Sequence, residues 1–276
     1  MLKLPYFDYL LALLESGDES LAASFGRHVH WGYWQNPKAA DLTLADFALA
    51  AENLSAQVCQ AGQIQAGQSV LDTGCGFGGT IAHLNDHYHA MPLTGLNLDE
   101  RQLKRASALV TGKNDNQIKF IQGDACALPF ADSSFDRVLA VECIFHFPDR
   151  KRYFQEVWRI LKPGGFLALS DFVASPLLQP LMRLSFNKGF SASFYGECDL
   201  SYTLNHYRQL SRELGFIQTI ERDITVNTLP TYRFLKKLKH LSHRVPKRAL
   251  LETAAIEIAS HLRMIHYCIF AFQKPK

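Results

Sequence analysis

No stretch of this 276-residue chain is apolar for long enough to cross a bilayer. The richest runs, such as YLLALLES, fall far short of the roughly 20 residues that a spanning helix needs. The first residues, MLKLPYFDYL, lack the apolar stretch and small-residue cleavage site of a secretory signal. Cysteine is sparse and unpatterned. Cys59, Cys75, Cys126, Cys143, Cys198 and Cys268 are scattered, with no C-x-x-C pair. This points to a reduced, cytoplasmic protein with buried thiols. Neither sign of charge dominates: the net value is +3, too small to imply nucleic acid or membrane by itself. No repeat or low-complexity linker divides the chain.

What remains is ordinary for a soluble globular protein, at 47% hydrophobic and 20% charged residues. The length suits one large α/β domain, or two small ones, with a sizeable core. Strand-like and helix-like segments alternate through the middle. QSVLDTG, PLTGLNL, IKFIQGD, RVLAVEC and FLALSDF read as strands. GTIAHLNDHY, DERQLKRASALV and RKRYFQEVWRIL read as helices between them, the last stopped by KPGG. That order predicts an α/β, doubly wound, mostly parallel sheet of Rossmann-like kind. The flanks differ. Residues 1–50 carry many aromatics and are read as an N-terminal helical lid, 51–173 as the ligand-binding core, and 174–276 as a cap with the last strands, all in one domain. In such sheets ligands bind beyond the carboxyl ends of the strands, where the chemically distinctive residues of this chain fall.

The loop VLDTGCGFGGT fits two glycine patterns, G-x-G-x-x-G and G-x-G-x-G. The first suits a dinucleotide, whose pyrophosphate sits on the loop and the helix N-terminus. Asp72 would place a carboxylate beside that anion, and the second strand ends in Asn97 rather than an acid. Both residues disfavour a nicotinamide cofactor. A cationic ligand such as S-adenosylmethionine, with a sulfonium and an ammonium, gains from a carboxylate there.

Six stretches then run in order through about half the chain: HWGYW, VLDTGCGFGG, GLNLDERQL, GDACALPFADSSFD, ECIFHFPDR and ILKPGGFLALSDF. Together they resemble the class I S-adenosylmethionine-dependent methyltransferases, in the small-molecule branch with tocopherol, sterol and natural-product sugar O-methyltransferases. The resemblance implies S-adenosyl-L-methionine as cofactor and methyl transfer, most readily to oxygen, of a small apolar or aromatic acceptor. It assigns the methionine and sulfonium region to Asp72, Gly74, Cys75, Gly76 and Gly78. The ribose and adenine fall to Asn97, Leu98, Gln102, Asp124 and Ala125. Tyr33 and Trp34 are expected to close over the cofactor. Glu142 is carried with the cofactor residues, although a structural role at its strand end is favoured. Transfer to carbon or nitrogen, or a catalytically silent cofactor-binding module, is the alternative.

A hydroxyl acceptor must lose a proton as it attacks, and one base then accelerates transfer. His146 is the candidate base or acceptor-binding group, with Asp171 to orient it or to bond the acceptor. Related sugar O-methyltransferases often carry two adjacent histidines here, where this chain has Phe145 and His146. The other reading of His146 is a residue that shapes the cofactor pocket. No metal is expected: His83 and His87 share a helical face at ligand spacing, but no third ligand is evident, and a solvated face is the expectation. YRFLKKLKHLSHRVPKR, residues 232–248, reads as a surface helix with a basic face and an apolar stripe of Phe234, Leu238 and Leu241. Its alternatives are a membrane-surface helix or a patch that attracts an anionic acceptor. The partner is a small molecule and not a nucleic acid, because no N-P-P-Y motif and no extended basic, aromatic groove occurs. Monomer and homo-oligomer stay open.

Overall fold

The computed structural model describes residues 4–178, 193–241 and 247–276. Phe186 and Phe190 of the expected cap and Arg244 of the basic segment lie outside the described residues. Seven strands form one sheet: β1 (Val70–Thr73), β2 (Pro92–Asn97), β3 (Gln117–Gln122), β4 (Phe135–Val141), β5 (Leu161–Ala174), β6 (Ile217–Asp223) and β7 (Ile265–Gln273), in the order β3-β2-β1-β4-β5-β7-β6. Only β7 runs against the others. Every residue of β1 is buried, as are nearly all of β4, whereas edge strand β6 alternates half-buried and exposed positions. That is the pattern of a parallel sheet covered on both faces, with amphipathic edges.

Helices α1 (Pro5–Glu15), α2 (Glu19–Phe25) and α3 (Leu44–Ala61) precede the sheet. α4 (Gly79–His87), α5 (Glu100–Leu109) and α6 (Arg150–Ile160) connect its parallel strands. α7 (Leu204–Leu214), α8 (Thr225–Thr228), α9 (Pro230–Leu241) and α10 (Lys247–His261) follow. Their starts are capped as the sequence suggests: Asp99 and Asp149 accept backbone N–H bonds at the heads of α5 and α6. α7 ends where Gly215 takes a left-handed conformation. One boundary differs from the sequence reading. KPGG does not form a loop after α6, because β5 starts at Leu161 and runs through it. β6 ends at Asp223. The Asp223 side chain accepts from Thr225 N at 2.8 Å and turns the chain into α8.

The lid and cap segments interlock. Trp34 N donates to Asn227 O at 3.0 Å, and Gly32 N to Thr231 Oγ1 at 3.1 Å. Phe47 of α3 stacks on Phe234 of α9 with centroids 4.1 Å apart. The apolar stripe of α9 is therefore turned inward: Phe234 and Leu238 are buried beside α1, α2 and α3. What α9 presents outward is charge, and Lys236 already pairs with Glu257. Phe234 and Leu238, the two residues of the expected lipid-facing stripe whose side chains are described, are thus buried. We expect no co-sedimentation with anionic vesicles at about 150 mM salt, where weak surface attraction is screened. Salt-resistant binding would show that α9 can release its apolar side.

Candidate active site

The glycine loop leaves β1 and enters α4. Gly74, Gly76 and Gly78 all have positive φ. At Gly74 (φ +73°) a Cβ would stand 2.8 Å from the Cys143 side chain, so neither its backbone nor its space admits another residue. Around Gly76 (φ +53°) the space is open, and its nearest neighbours would be Phe7 at 3.9 Å and Gln102 Oε1 at 4.0 Å. Here the backbone is free to approach a ligand. The N–H groups of Gly74 and Cys75 both bond Leu96 O, which ties the loop to the end of β2.

Asp72 lies just under this loop and is 2% exposed. Burial pushes its carboxyl up to about 8, and among the described residues no hydrogen bond or charge brings it back. A buried carboxylate without a partner is costly unless a cation arrives to meet it. The donor set therefore fits a ligand with positive charge near the loop. It does not fit a pyrophosphate.

The other residues expected at the cofactor gather at the ends of β2 and β3. Asn97 Nδ2 donates to Gln102 Oε1 at 2.8 Å, which places buried Gln102 between Asn97 and Gly76. Gly123 N bonds Asn97 O and aligns the two strand ends. Asp124 is exposed. One of its carboxylate oxygens caps Cys126 N, and the other is left for a ligand. Ala125 is buried beside it, and Leu98 is 46% exposed at the rim.

Next to the loop is a cavity of about 920 Å³, at the upper end of the range for small-molecule sites. Its walls are largely apolar: Phe25, Phe145, Phe172, Leu178, Tyr195 and Tyr232 contribute. Phe147, which also lines it, would lie 3.8 Å from a Cβ on Gly74, so cavity and loop adjoin. His146 opens onto the cavity from the short helical turn Ile144–His146 after β4. Its Nδ1 is 3.1 Å from Glu197 O. A carbonyl only accepts, so Nδ1 carries the proton and Nε2 the lone pair. Tyr6 Oη lies 3.4 Å from that Nε2. Burial, with a smaller push from the Arg150 charge, lowers His146 to about 4 despite the Glu197 bond. The imidazole is neutral at pH 7.

Several site residues named from the sequence have other surroundings. Asp171 does not reach His146. It is fully buried, paired with Arg150 at 2.6 Å, and bonded by Tyr207 Oη. The orienting group for His146 is instead the Glu197 carbonyl. Trp34 donates through its indole N–H to Asp46 at 2.9 Å and packs in the helical cluster with Phe47, away from the loop. Tyr33 is half-buried, and its N–H bonds Ala50 O. Glu142 faces the cavity but is already engaged. Its Oε2 accepts from Trp31 N at 2.9 Å and from Tyr267 Oη, and burial, partly offset by these bonds, raises it to about 8.

The lid over the loop comes from α1. Tyr6 stacks toward His146, and Phe7 meets the edge of Phe77 in the glycine loop. Asp8 pairs with Arg101 of α5 at 2.8 Å. In the sequence Tyr6 and Phe7 are two of the many aromatics of residues 1–50, with no motif around them. Their helix starts at a proline and buries Phe7, Leu10 and Leu13 along one side, a spacing that marks α1 as a packed element but not where it packs.

The model of a methyltransferase domain matches residues 71–169, which run from β1 to β5. The chain is 33% identical over 223 residues to methyltransferase GfsG of Streptomyces halstedii, covering 79% of this chain and 76% of that one. It is 29% identical over 249 residues to O-methyltransferase resE of Aspergillus sclerotiorum, covering 88% and 87%. Among solved structures, geranyl diphosphate C-methyltransferase from Streptomyces coelicolor, with S-adenosyl-L-homocysteine bound, superposes with a TM-score of 0.71 over 94% of this chain and 97% of that one, at 16% identity. The strand order, the glycine loop over an uncompensated carboxylate, and these likenesses agree: the chain belongs to the class I S-adenosylmethionine-dependent methyltransferases, in their small-molecule branch.

Proposed function

We propose that this enzyme methylates a hydroxyl of a large, mainly apolar acceptor, of the natural-product or lipid-like kind, held in the cavity beside His146. The observation that carries the reading is His146 itself, an imidazole with its proton fixed on Nδ1 and its Nε2 lone pair facing an apolar chamber. Relatives such as resE are named as O-methyltransferases, which supports oxygen over carbon or nitrogen.

S-adenosylmethionine supplies a methyl group already activated on a sulfonium. The protein then has two tasks. One is alignment, worth up to roughly 7–11 kcal/mol in favourable systems. The loop Asp72, Gly74, Cys75, Gly76 and Gly78 would hold the methionine end, and Asn97, Leu98, Gln102, Asp124 and Ala125 the nucleoside end. α1 excludes water from above, through Tyr6 and Phe7. The other task is the proton. As the acceptor oxygen bonds to carbon, its proton passes to Nε2 of His146, and the Glu197 carbonyl holds the resulting imidazolium through Nδ1. Tyr6 Oη occupies the place at Nε2 that an acceptor hydroxyl would take or share.

Asp72 gives the first test. In the free enzyme at pH 7 its carboxyl is largely protonated, and a cationic ligand favours the ionised form. Affinity for the cofactor should therefore rise with pH and level off above about 8. Asp72→Asn is expected to weaken binding by about tenfold, the scale of one charged contact, and more than Asn97→Ala does. Calorimetry across pH separates the protein's share from the ligand's own amine, because only the former vanishes in Asp72→Asn. The free enzyme should also respond in stability. Asp72 and Glu142 are held above their unfolded values, so between the two values the folded state binds more protons than the unfolded one. Stability then falls as pH rises toward 8. His146, lowered to about 4, contributes the opposite slope only below about 6.5. From pH 6.5 to about 7.5, below the range where thiols ionise in the unfolded chain, the carboxyl trend dominates. Asp72→Asn should reduce it, leaving the Glu142 share, and raise the melting temperature of the free enzyme. A variant that binds cofactor as wild type does would remove Asp72 from the site.

A further inference from the structure

On the side of the molecule where α3 meets α4, the structure brings together residues far apart in sequence. His83 and His87 lie on one face of α4, rings stacked with centroids 4.3 Å apart. Glu52 comes across from α3. His83, unlike the solvated residue that the sequence suggests, is 5% exposed, and its Nδ1 lies 3.1 Å from Glu52 Oε1. One ligand atom from each of Glu52, His83 and His87 falls within 4.8 Å of the others. Among the described residues this is the one such group of three.

We propose that Glu52, His83 and His87 form a binding site for a late first-row divalent cation, zinc by preference, distinct from the methyl-transfer site. The donor set is two imidazoles and one carboxylate, which suits zinc, cobalt or nickel and not magnesium or calcium. His87 is prepared for it. Its Nδ1 bonds the carbonyl of His83 at 2.8 Å, so its proton is fixed there and Nε2 offers the lone pair. Metal-bound histidines commonly make such a bond through the second ring nitrogen. His83 turns Nδ1 toward Glu52 Oε1, so Nδ1 is its ligand atom, and the hydrogen bond between the two gives way to the cation. Zinc–nitrogen bonds of about 2.0–2.1 Å in a tetrahedron put ligand atoms roughly 3.3 Å apart. Reaching that spacing takes side-chain rotation, chiefly of His87, which is exposed but stacked on His83.

The neighbours set the strength. Arg27 lies 3.1 Å from Glu52 Oε1 and 2.9 Å from Asp86, and Lys113 pairs with Asp86 as well. His28 bonds the second oxygen of Glu52. Burial acts to raise the Glu52 carboxyl, but the bonds from His28 and His83 and the charge of Arg27 outweigh it and hold the group ionised. A cation entering here displaces Arg27 from Glu52 onto Asp86, its existing second partner. That competition weakens the site relative to one whose carboxylate has no other partner. The bound ion would cross-link α3 to α4, the helix that the glycine loop opens, and would take no part in the chemistry.

The test is zinc titration of the full chain, free of any polyhistidine tag, by calorimetry at pH 7.5, with magnesium as control. We expect one equivalent bound with a dissociation constant of about 10 µM or below. His87→Ala and Glu52→Gln should each weaken it by at least about tenfold, while exposed His89→Ala leaves it unchanged. Saturating zinc should raise the wild-type melting temperature by roughly 5 °C and that of His87→Ala by less. Because His87 is exposed, its replacement should leave cofactor affinity unaltered, which confirms that the variant is folded. Absence of zinc binding at about 0.1 mM, or binding that His87→Ala leaves intact, would overturn the proposal whatever the enzyme methylates.

Discussion

Replacing His146 by Ala is expected to lower kcat by about 10²–10⁴-fold, the usual contribution of one positioned base. Cofactor affinity should barely change, since no part of the glycine loop rests on the imidazole. The bonds that His146 makes are to Glu197 O, Tyr6 Oη and the Cys198 thiol. All lie on the acceptor side. The pH profile adds a second readout. A base lowered to about 4 by burial is already neutral across the physiological range. At saturating cofactor, kcat should therefore stay level from pH 8 down to about 5, with no inflection near the ordinary histidine value of about 6.5. In His146→Gln the geometry is kept and the basicity lost, so activity should stay as low as in His146→Ala. If either variant turned over at the wild-type rate across pH, His146 would only shape the pocket.

Asp171→Ala is expected to cost about 3–5 kcal/mol of stability, because it leaves the Arg150 guanidinium buried without its counter-charge. Both side chains of this pair are fully buried. Arg150 also bonds Tyr207 Oη at 2.9 Å and the Asp199 carbonyl, and lies 4.2 Å over the Tyr202 ring. Burial raises Asp171 to about 6, although the Arg150 charge and Tyr207 bond pull it down. The pair joins β5 and α6 to the 199–207 segment, which carries one wall of the cavity. Denaturant unfolding of the free enzyme measures the cost. An Arg150→Met and Asp171→Leu double replacement should recover much of it, because a well-packed apolar pair removes the desolvation burden. An Asp171→Ala enzyme that unfolds like wild type but has lost turnover would return this carboxylate to the chemistry.

These two residues show what the sequence makes legible. Both are expected at the carboxyl ends of central strands; His146 lies in the turn after β4, whereas Asp171 lies within β5, which runs on to Ala174. The strand ends are readable because buried parallel strands are short apolar runs bounded by glycine and acidic residues. VLDTG, GLNL and LAVEC announce themselves in this way. The difference between the two residues is not readable. It depends on which face of the sheet each side chain leaves, and on partners distant in sequence: Glu197 for His146, Arg150 and Tyr207 for Asp171. Tyr6 meets His146 across 140 residues, and no local pattern encodes that contact. HWGYW misleads for a related reason. Aromatic residues near a cofactor fold look like a lid, yet Trp34 is needed to fill the space between α3 and α9. The histidines of α4 are the converse case. Their spacing was visible, but the carboxylate that gives them meaning comes from a different helix.

Methyl-labelled S-adenosylmethionine incubated with the enzyme and small-molecule extracts of its host, with products resolved by mass spectrometry, tests the central claim most directly. The account predicts a labelled, organic-soluble product whose fragmentation places the methyl on oxygen, formed by wild type and lost in His146→Ala. Label found on carbon or nitrogen, or no labelled product from an enzyme that binds the cofactor normally, would contradict it.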